Sequence, residues 1–374
     1  MDGPRAPRAD ELDSLLDLLC EIWDYFPRLY SQEYLHDGIR RRLHRRDARI
    51  IVEDGRPVSN IQMLFHDIDA YGCRFKTASI GCVCTRADRR NQGFAGAILQ
   101  RCLKDMTDAG ARLLFVSGDR SLYRRNHCVH AGDFLDARLD PAVLPPAPPS
   151  LSVRRVQPDA WPLLAPLYQA EPVRFRRRLN FLQETCFWWD CNRHQIWLIE
   201  SAGRALAYAA FVTGFVAEGQ KPTPALAEYA GSRAALVDAL PAIAQGGSYS
   251  AVELAFPAWD RDLAYLVGRL GAELRPRPLP HHTVRLLDLP GLMLELRPYL
   301  AARLPESDLD RLSFAQEGET CRFTCGEQTL SLGLSEAAPL VLGGPNRPAV
   351  EGDLGRVLAS VFPLPLPLIG FEYI

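Results

Sequence analysis

Residues 90–96 hold the types and spacing of an anion-binding turn. The run Arg90-Asn91-Gln92-Gly93-Phe94-Ala95-Gly96 follows a short apolar segment, Ile80 to Thr85, rich in small and β-branched residues. After it, Ala95, Ile98, Leu99, Cys102, Leu103 and Met106 recur at spacings of three and four. These patterns predict a strand, a turn and a helix with one apolar face. A helix N-terminus reached through such a turn presents backbone N–H groups without intrahelical partners, and its dipole adds positive potential. Gly93 and Ala95 let the backbone come close to an anion, and Arg90 supplies a guanidinium fork. The plain alternative is an Arg/Gly turn that only opens a helix.

Downstream residues extend the pattern. Arg112 to Ser117 reads as another strand, and Gly118 to Gly132 carries Tyr123 into a second helix. An Arg/Gln-x-x-Gly-x-Gly/Ala turn between strand and helix resembles the acetyl-CoA pyrophosphate loop of the GNAT N-acetyltransferases. Strand, loop, helix, strand and a Tyr-bearing helix resemble the catalytic half of that superfamily.

The chain has 374 residues, 47% of them hydrophobic, and a net charge of −2. That length predicts two or three domains, and the charge gives no sign of a nucleic-acid protein. Long apolar windows are absent, so no membrane span is expected. The opening residues lack an apolar signal region, which makes a cytoplasmic location the expectation. Cys186, Cys191 and His194 lack a second ligand pair at zinc spacing, and no metal is expected. The other elements follow from periodicity: a helix over Asp10–Phe26, a second helix over Gln32–His44 with a basic tail, and a hairpin about Asp54-Gly55. Strands over 58–68 and 73–85 complete an antiparallel meander. The Pro-rich segment 140–149 reads as a linker.

A related order then returns. Helices are expected over Trp161–Tyr168 and Val173–Thr185, a hairpin about Ala202-Gly203, and two strand–helix pairs between Ala225 and Leu270. At the equivalent turn stands Gly231-Ser-Arg-Ala-Ala, without the Arg-x-x-Gly-x-Ala elements, so this half is expected to be scaffold. From Asp288 the pattern changes to an apolar helix over Gly291–Leu304, alternating strands over 313–334 and a helix over Asp353–Val361. The chain closes on the tail Phe362-Pro-Leu-Pro-Leu-Pro-Leu-Ile-Gly-Phe-Glu-Tyr-Ile374.

Two tandem acetyltransferase-like halves with a small α/β tail resemble the enhanced-intracellular-survival (Eis) family. The resemblance implies an α/β (α+β) chain of two GNAT domains with mixed central sheets and a sterol-carrier-protein-like C-terminal domain. The expected boundaries are 1–140, a linker at 141–150, 151–287 and 288–374. It implies an N-acetyltransferase that uses acetyl-CoA as donor and an amine as acceptor, without nucleic-acid or membrane partners, and is compatible with a homo-oligomer. Tyr123 takes the family's general-acid position, and the main-chain carboxylate of Ile374 takes that of the general base. The donor is expected on Val83, Cys84, Thr85, Arg90, Asn91, Gln92, Gly93, Phe94, Ala95, Gly96 and Ser117. His127 stands where the family usually has Gly, as a change in the turn or a proton-transfer aid. Two other classes compete: a carrier of an apolar ligand, and an acetyl-CoA-binding regulator without turnover. Retention of Arg90, Gly93, Ala95 and Tyr123 together argues against the carrier.

Overall fold

The computed structural model describes residues 1–22, 46–156, 160–178, 194–213 and 221–372. The first sheet has the order β1 (Asp2–Arg5), β2 (Ala48–Glu53), β3 (Arg56–Ala70), β4 (Cys73–Thr85), β5 (Leu113–Ser117) and β14 (His282–Leu286). A further short strand, β8 (Val173–Phe175), pairs with the far end of β3. The β3–β4 hairpin closes on Tyr71 and Gly72, both with left-handed φ, the geometry a two-residue turn requires.

The second sheet runs β13 (Arg275–Arg277), β6 (Phe134–Leu139), β12 (Val252–Pro257), β11 (Ala225–Gly231), β10 (Arg204–Val212), β9 (His194–Ser201) and β7 (Ser152–Arg155). A third sheet is the antiparallel meander β15 (Leu312–Glu317), β16 (Thr320–Cys325) and β17 (Gln328–Gly333).

Helix α1 (Leu12–Ile22) packs Leu15 and Leu19 against Ile50 and Val52 of β2. Helix α2 (Phe94–Asp108) lays Ile98, Leu99, Cys102 and Met106 on Ile61, Ala78 and Leu114 of the first sheet. Its three-four spacing is what makes one side of the helix apolar. The opposite face of that sheet, through Ile68, Phe75, Phe115 and Val284, meets the helices of the C-terminal unit. The second sheet is covered by α4 (Trp161–Gln169) on one side and by α5 (Arg233–Gly246) and α6 (Arg261–Arg269) on the other. Among the described residues no helix is long and apolar enough to cross a membrane.

The two large sheets exchange strands across the expected boundaries at 140 and 287. β6 belongs by sequence to the first half but pairs with β12, and β14 belongs to the second half but pairs with β5. Gly132, with φ +102°, turns the chain between them. Periodicity predicts a strand but not which edge it joins, so this exchange has no sequence signal.

Three expected elements differ in form. Val173–Thr185 begins as a strand, because Val173 and Phe175 alternate inward and pair with Ala70 and Ile68 of β3; its residues beyond 178 lie outside the described residues. The helix carrying Tyr123 is a single turn, α3 (Ser121–Arg124), and stops short of the expected Gly132. The expected 291–304 helix is two, α7 (Leu289–Glu295) and α8 (Arg297–Ala301), divided at Leu296 one residue before the Arg297-Pro298 step. The basic-tailed helix expected over 32–44 lies outside the described residues, save that Arg46 at the end of its basic run is described.

The C-terminal tail crosses from one core to another. Phe362, Leu364, Leu366 and Ile369 are buried among the C-terminal unit and first-sheet residues, and Phe371 is buried among residues of the second sheet and α4. At the crossing lies Arg177, whose side chain is 3% exposed. It pairs bidentately with Glu228 of β11 at 2.8 and 2.6 Å and with Glu372 at 3.0 Å. Replacing Arg177 by Ala leaves two buried carboxylates without their cation, and breaking such a pair costs about 3–5 kcal/mol. Thermal denaturation of Arg177→Ala should therefore show a midpoint lowered by roughly 5 °C or more; an unchanged midpoint would contradict this role.

Candidate active-site cleft

The cleft begins where β4 and β5 separate. Their parallel pairing covers Thr77–Ile80 against Leu113–Val116 and stops there, while β4 continues to Thr85 on β3 alone. A register shift opposite Ile61 bends β4 at this point, and Cys82 takes φ +48°. Two side chains of β3 fix the bulge: Asn60 Nδ2 donates to the Cys82 carbonyl at 2.8 Å, and Ser59 Oγ to the Cys84 carbonyl at 2.8 Å. The β4 edge from Gly81 to Thr85 consequently faces a cavity of about 1930 Å³. That exceeds the ~300–1,000 Å³ of an ordinary small-ligand pocket, which leaves room for a long ligand and a second reactant.

At one end of the cavity is the N-terminus of α2. Gly93 is its N-cap, with φ +83° and no side-chain cap. The first intrahelical bond runs from Ala97 N to Gly93 O at 3.0 Å, so the amides of Phe94, Ala95 and Gly96 have no partner within the helix. A Cβ on Gly93 would meet nothing within 4 Å; the glycine answers to its φ and leaves the approach open. Arg90 is exposed, and its Nε donates to the Thr85 carbonyl at 3.3 Å.

Of the expected donor residues, Val83, Cys84, Thr85, Arg90, Asn91, Gly93, Phe94, Ala95, Gly96 and Ser117 line this cavity, and so does Tyr123. Gln92 is exposed and does not line it. Tyr123 is buried against the first core, and desolvation raises its pKa, so the hydroxyl keeps its proton at neutral pH. Burial pushes the Cys84 thiol up to about 12, which keeps it protonated and a poor nucleophile. Ile374 lies outside the described residues, but Leu368, Ile369, Gly370 and Phe371 line the same cavity.

His127 has φ +57°, which explains why glycine suits this position. Its ring points to the C-terminal unit, Nδ1 at 2.9 Å from Ser335 Oγ and Nε2 at 3.1 Å from Glu319. It does not line the cleft.

The corresponding turn of the second half is filled. Ser232 caps α5 through Ala235 N at 3.2 Å, and Glu171 accepts from Gly231 N at 2.8 Å and from Arg233 at 2.6 Å. The cap is thus taken by a hydroxyl, and the neighbouring Gly231 amide and Arg233 guanidinium by a carboxylate that an incoming anion would have to displace.

Several residues of the site were not singled out in the sequence. Glu228, Arg177, His66 and Glu372 hold the tail: Phe371 N donates to Glu228 Oε2 at 3.0 Å, and Tyr208 OH to Glu228 Oε1 at 2.6 Å. Arg177 also stacks on the Tyr168 ring, 3.8 Å from its centroid. Glu228 and Glu372 lie 51 and 195 positions from Arg177 along the chain, and no local pattern links them.

Residues 4–128 match the family described as Acetyltransferase (GNAT) domain. Solved structures share the fold over nearly the whole chain. A conserved protein of unknown function from Enterococcus faecalis V583, described as a probable N-acyltransferase, has 14% identity, 97% coverage of each chain and a TM-score of 0.66. A GCN5-related N-acetyltransferase from Kribbella flavida has 15% identity, covers 97% of this chain and 96% of its own, and has a TM-score of 0.65. Eis1 from Mycobacterium abscessus has 13% identity, 99% coverage of each chain and a TM-score of 0.66. No curated protein matches the sequence. The fold is mixed α/β and GNAT-like, and the match to an acetyltransferase domain covers its first third.

Gly370 joins this site to the tail. It has φ +53°, and a Cβ there would collide with the Glu228 carboxylate. Gly370→Val should dislodge residues 368–372 while the first core stays folded. Limited proteolysis read by intact mass checks this: early cleavage within the tail is expected, and a parent-like pattern would contradict it.

Proposed function

We propose that the protein is an acetyl-CoA-dependent N-acetyltransferase of the Eis-like type, moving an acetyl group to an amine by direct attack. The observation that carries this reading is the meeting in one cavity of four elements: the uncapped α2 amides, the open β4 edge, Tyr123 and the C-terminal tail. The domain organisation of the Eis-like resemblance goes with it, with the donor in the first half only and the C-terminal unit of sterol-carrier-protein type. Glu171 and Ser232 in the second half support that asymmetry.

The residues fit the donor by its chemistry. Diphosphate oxygens suit the amides of Phe94, Ala95 and Gly96, with Arg90 adding a charge-assisted hydrogen bond. An amide-bearing arm can pair along Val83–Thr85 as an added strand does. Acetyl-CoA supplies the thioester. A β4 amide donates to the oxygen that becomes negative as the amine attacks. An α-carboxylate has an ordinary pKa near ~3.5 and is ionised at neutral pH, so that of Ile374 can take the proton the ammonium must lose. Tyr123 gives its proton to the departing thiolate, whose thiol has a pKa near ~8.5. The protonated Cys84 thiol favours direct transfer over an acyl-cysteine route.

Thiol release from acetyl-CoA with a panel of primary amines tests the function, beside calorimetry of acetyl-CoA alone. Binding and turnover are expected; no binding removes the reading, and binding without turnover on any amine points to a regulator. Tyr123→Phe removes only the hydroxyl, and kcat should fall ~10²–10⁴-fold with little change in acetyl-CoA affinity. Full turnover in that variant would make Tyr123 a packing residue.

The base has its own test. One or two residues added after Ile374 move the terminal charge by about 3–7 Å. The prolines Pro363, Pro365 and Pro367 stiffen the approach, so the tail cannot simply slide to compensate. C-terminal extension should abolish turnover while acetyl-CoA binding persists. An extended protein that acetylates amines at the parent rate would send the search to side chains of the first domain.

A further inference from the structure

A second, much smaller cavity of about 20 Å³ adjoins the cleft. Ile80, Ser117, His282 and Ile369 line both, so the two spaces adjoin at these residues. His66, Ser79 and Glu372 line the small one only. These three are connected in series: Ser79 Oγ is 3.1 Å from His66 Nε2, and His66 Nδ1 is 3.2 Å from Glu372 Oε2. A carboxylate only accepts, so Nδ1 carries the hydrogen, and an Nε2 without one accepts from the Ser79 hydroxyl. Hydroxyl, imidazole and carboxylate in this order are the parts of an activated nucleophile.

Cavity size decides against that role. A water needs about 10–15 Å³ of such volume, with two to four polar partners. The cavity therefore takes one water and excludes a thioester, so Ser79 cannot reach an acyl group. The Ser79 and Ser117 hydroxyls line it as partners for that water, while both His66 nitrogens are already engaged. Burial alone would raise the Glu372 carboxyl, but the hydrogen bond from His66 and the Arg177 guanidinium outweigh it and hold the group below its ordinary value. It stays ionised beside the ring.

We propose that this cavity holds one water and that the water, Ser79 and His66 form a proton relay, backed by Glu372, for the proton that leaves the attacking amine. The proposal rests on the acetyltransferase reading. The N–H bond of the ammonium breaks, and its proton reaches the water, directly or by way of the terminal carboxylate. The water passes one of its protons to Ser79 Oγ, and Ser79 passes its own to His66 Nε2. The ammonium becomes a neutral amine, the imidazole becomes imidazolium, and Glu372 faces the new charge. His66 later returns the proton to solvent by the reverse path. Ser79 and His66 act through the water and do not touch the substrate.

The relay and a plain tail clamp predict different things. Full-length Ser79→Ala and His66→Gln are compared with the parent on two acceptors. One is a primary alkylamine, an ammonium at pH 7 with a pKa near ~10; the other is an O-alkylhydroxylamine, neutral at that pH. With the alkylamine, kcat should fall roughly ten-fold or more in both variants, with the KM for acetyl-CoA little changed. With the neutral acceptor the loss should be several times smaller. Ser79→Thr, which keeps the hydroxyl, should retain most turnover. Equal losses on both acceptors, or none on the alkylamine, overturn the relay and leave acetyl transfer standing. A parent that acetylates neither acceptor overturns the acetyltransferase reading and the relay with it.

Discussion

A guanidinium buried between two carboxylates holds this architecture together. Arg177 comes from the segment after β8, Glu228 from the second sheet and Glu372 from the C-terminal tail, with side chains 3%, 3% and 5% exposed. Two unit charges at 4 Å attract by about 4 kcal/mol at an effective dielectric constant of 20, but each must first leave water. The cluster offsets that loss by satisfying its lone pairs. Arg177 serves both carboxylates, Tyr208 donates to Glu228, His66 faces Glu372, and the Phe371 amide donates to Glu228. Such a network tolerates few geometries. It sets where the chain ends relative to the first sheet more narrowly than the apolar contacts of Leu364 and Leu366 could.

The cleft depends on that placement. The separation of β4 from β5 exposes a strand edge, and the bulge at Cys82 turns the edge toward the α2 N-terminus. On its own this makes a groove with an anion site at one end. The tail closes the other end through Ile369, Gly370 and Phe371, while Arg138, Arg275 and Arg277 of the second sheet form a facing wall. These arginines are largely matched by Glu253, Glu273 and Asp136. Arg90, Arg120 and Arg125 also line the cavity and pair with no carboxylate among the described residues, so the charge available to an anion lies with these three. The strand exchange between the sheets serves the same end, because β6 and β14 tie the two halves into one wall.

The turn into α2 was legible because it is local. Gly93, the preceding strand and the apolar face of α2 are fixed by contacts within some thirty residues, and the paired hairpin turns at Asp54-Gly55 and Ala202-Gly203 have matching left-handed φ values. That Tyr123 would line the cleft was suggested only by resemblance, since nothing in the composition of a one-turn helix marks it. The tail cluster was illegible for a physical reason. Its members join elements far apart in sequence, and an isolated Arg or Glu reads as surface until its partner is known. The short strand at Val173 was misread because three residues are too few to separate a period of two from one of 3.6.

Hydrogen exchange of the full-length chain, with and without acetyl-CoA, tests the central claim most directly. Amides on the β4 edge from Gly81 to Thr85 and at Phe94–Gly96 should slow together on binding, because the donor would occupy both. Those of Ile369–Glu372 should change with them, as the tail borders the same cavity. Protection confined to the second sheet or the C-terminal unit, with residues 81–96 unchanged, would contradict the account.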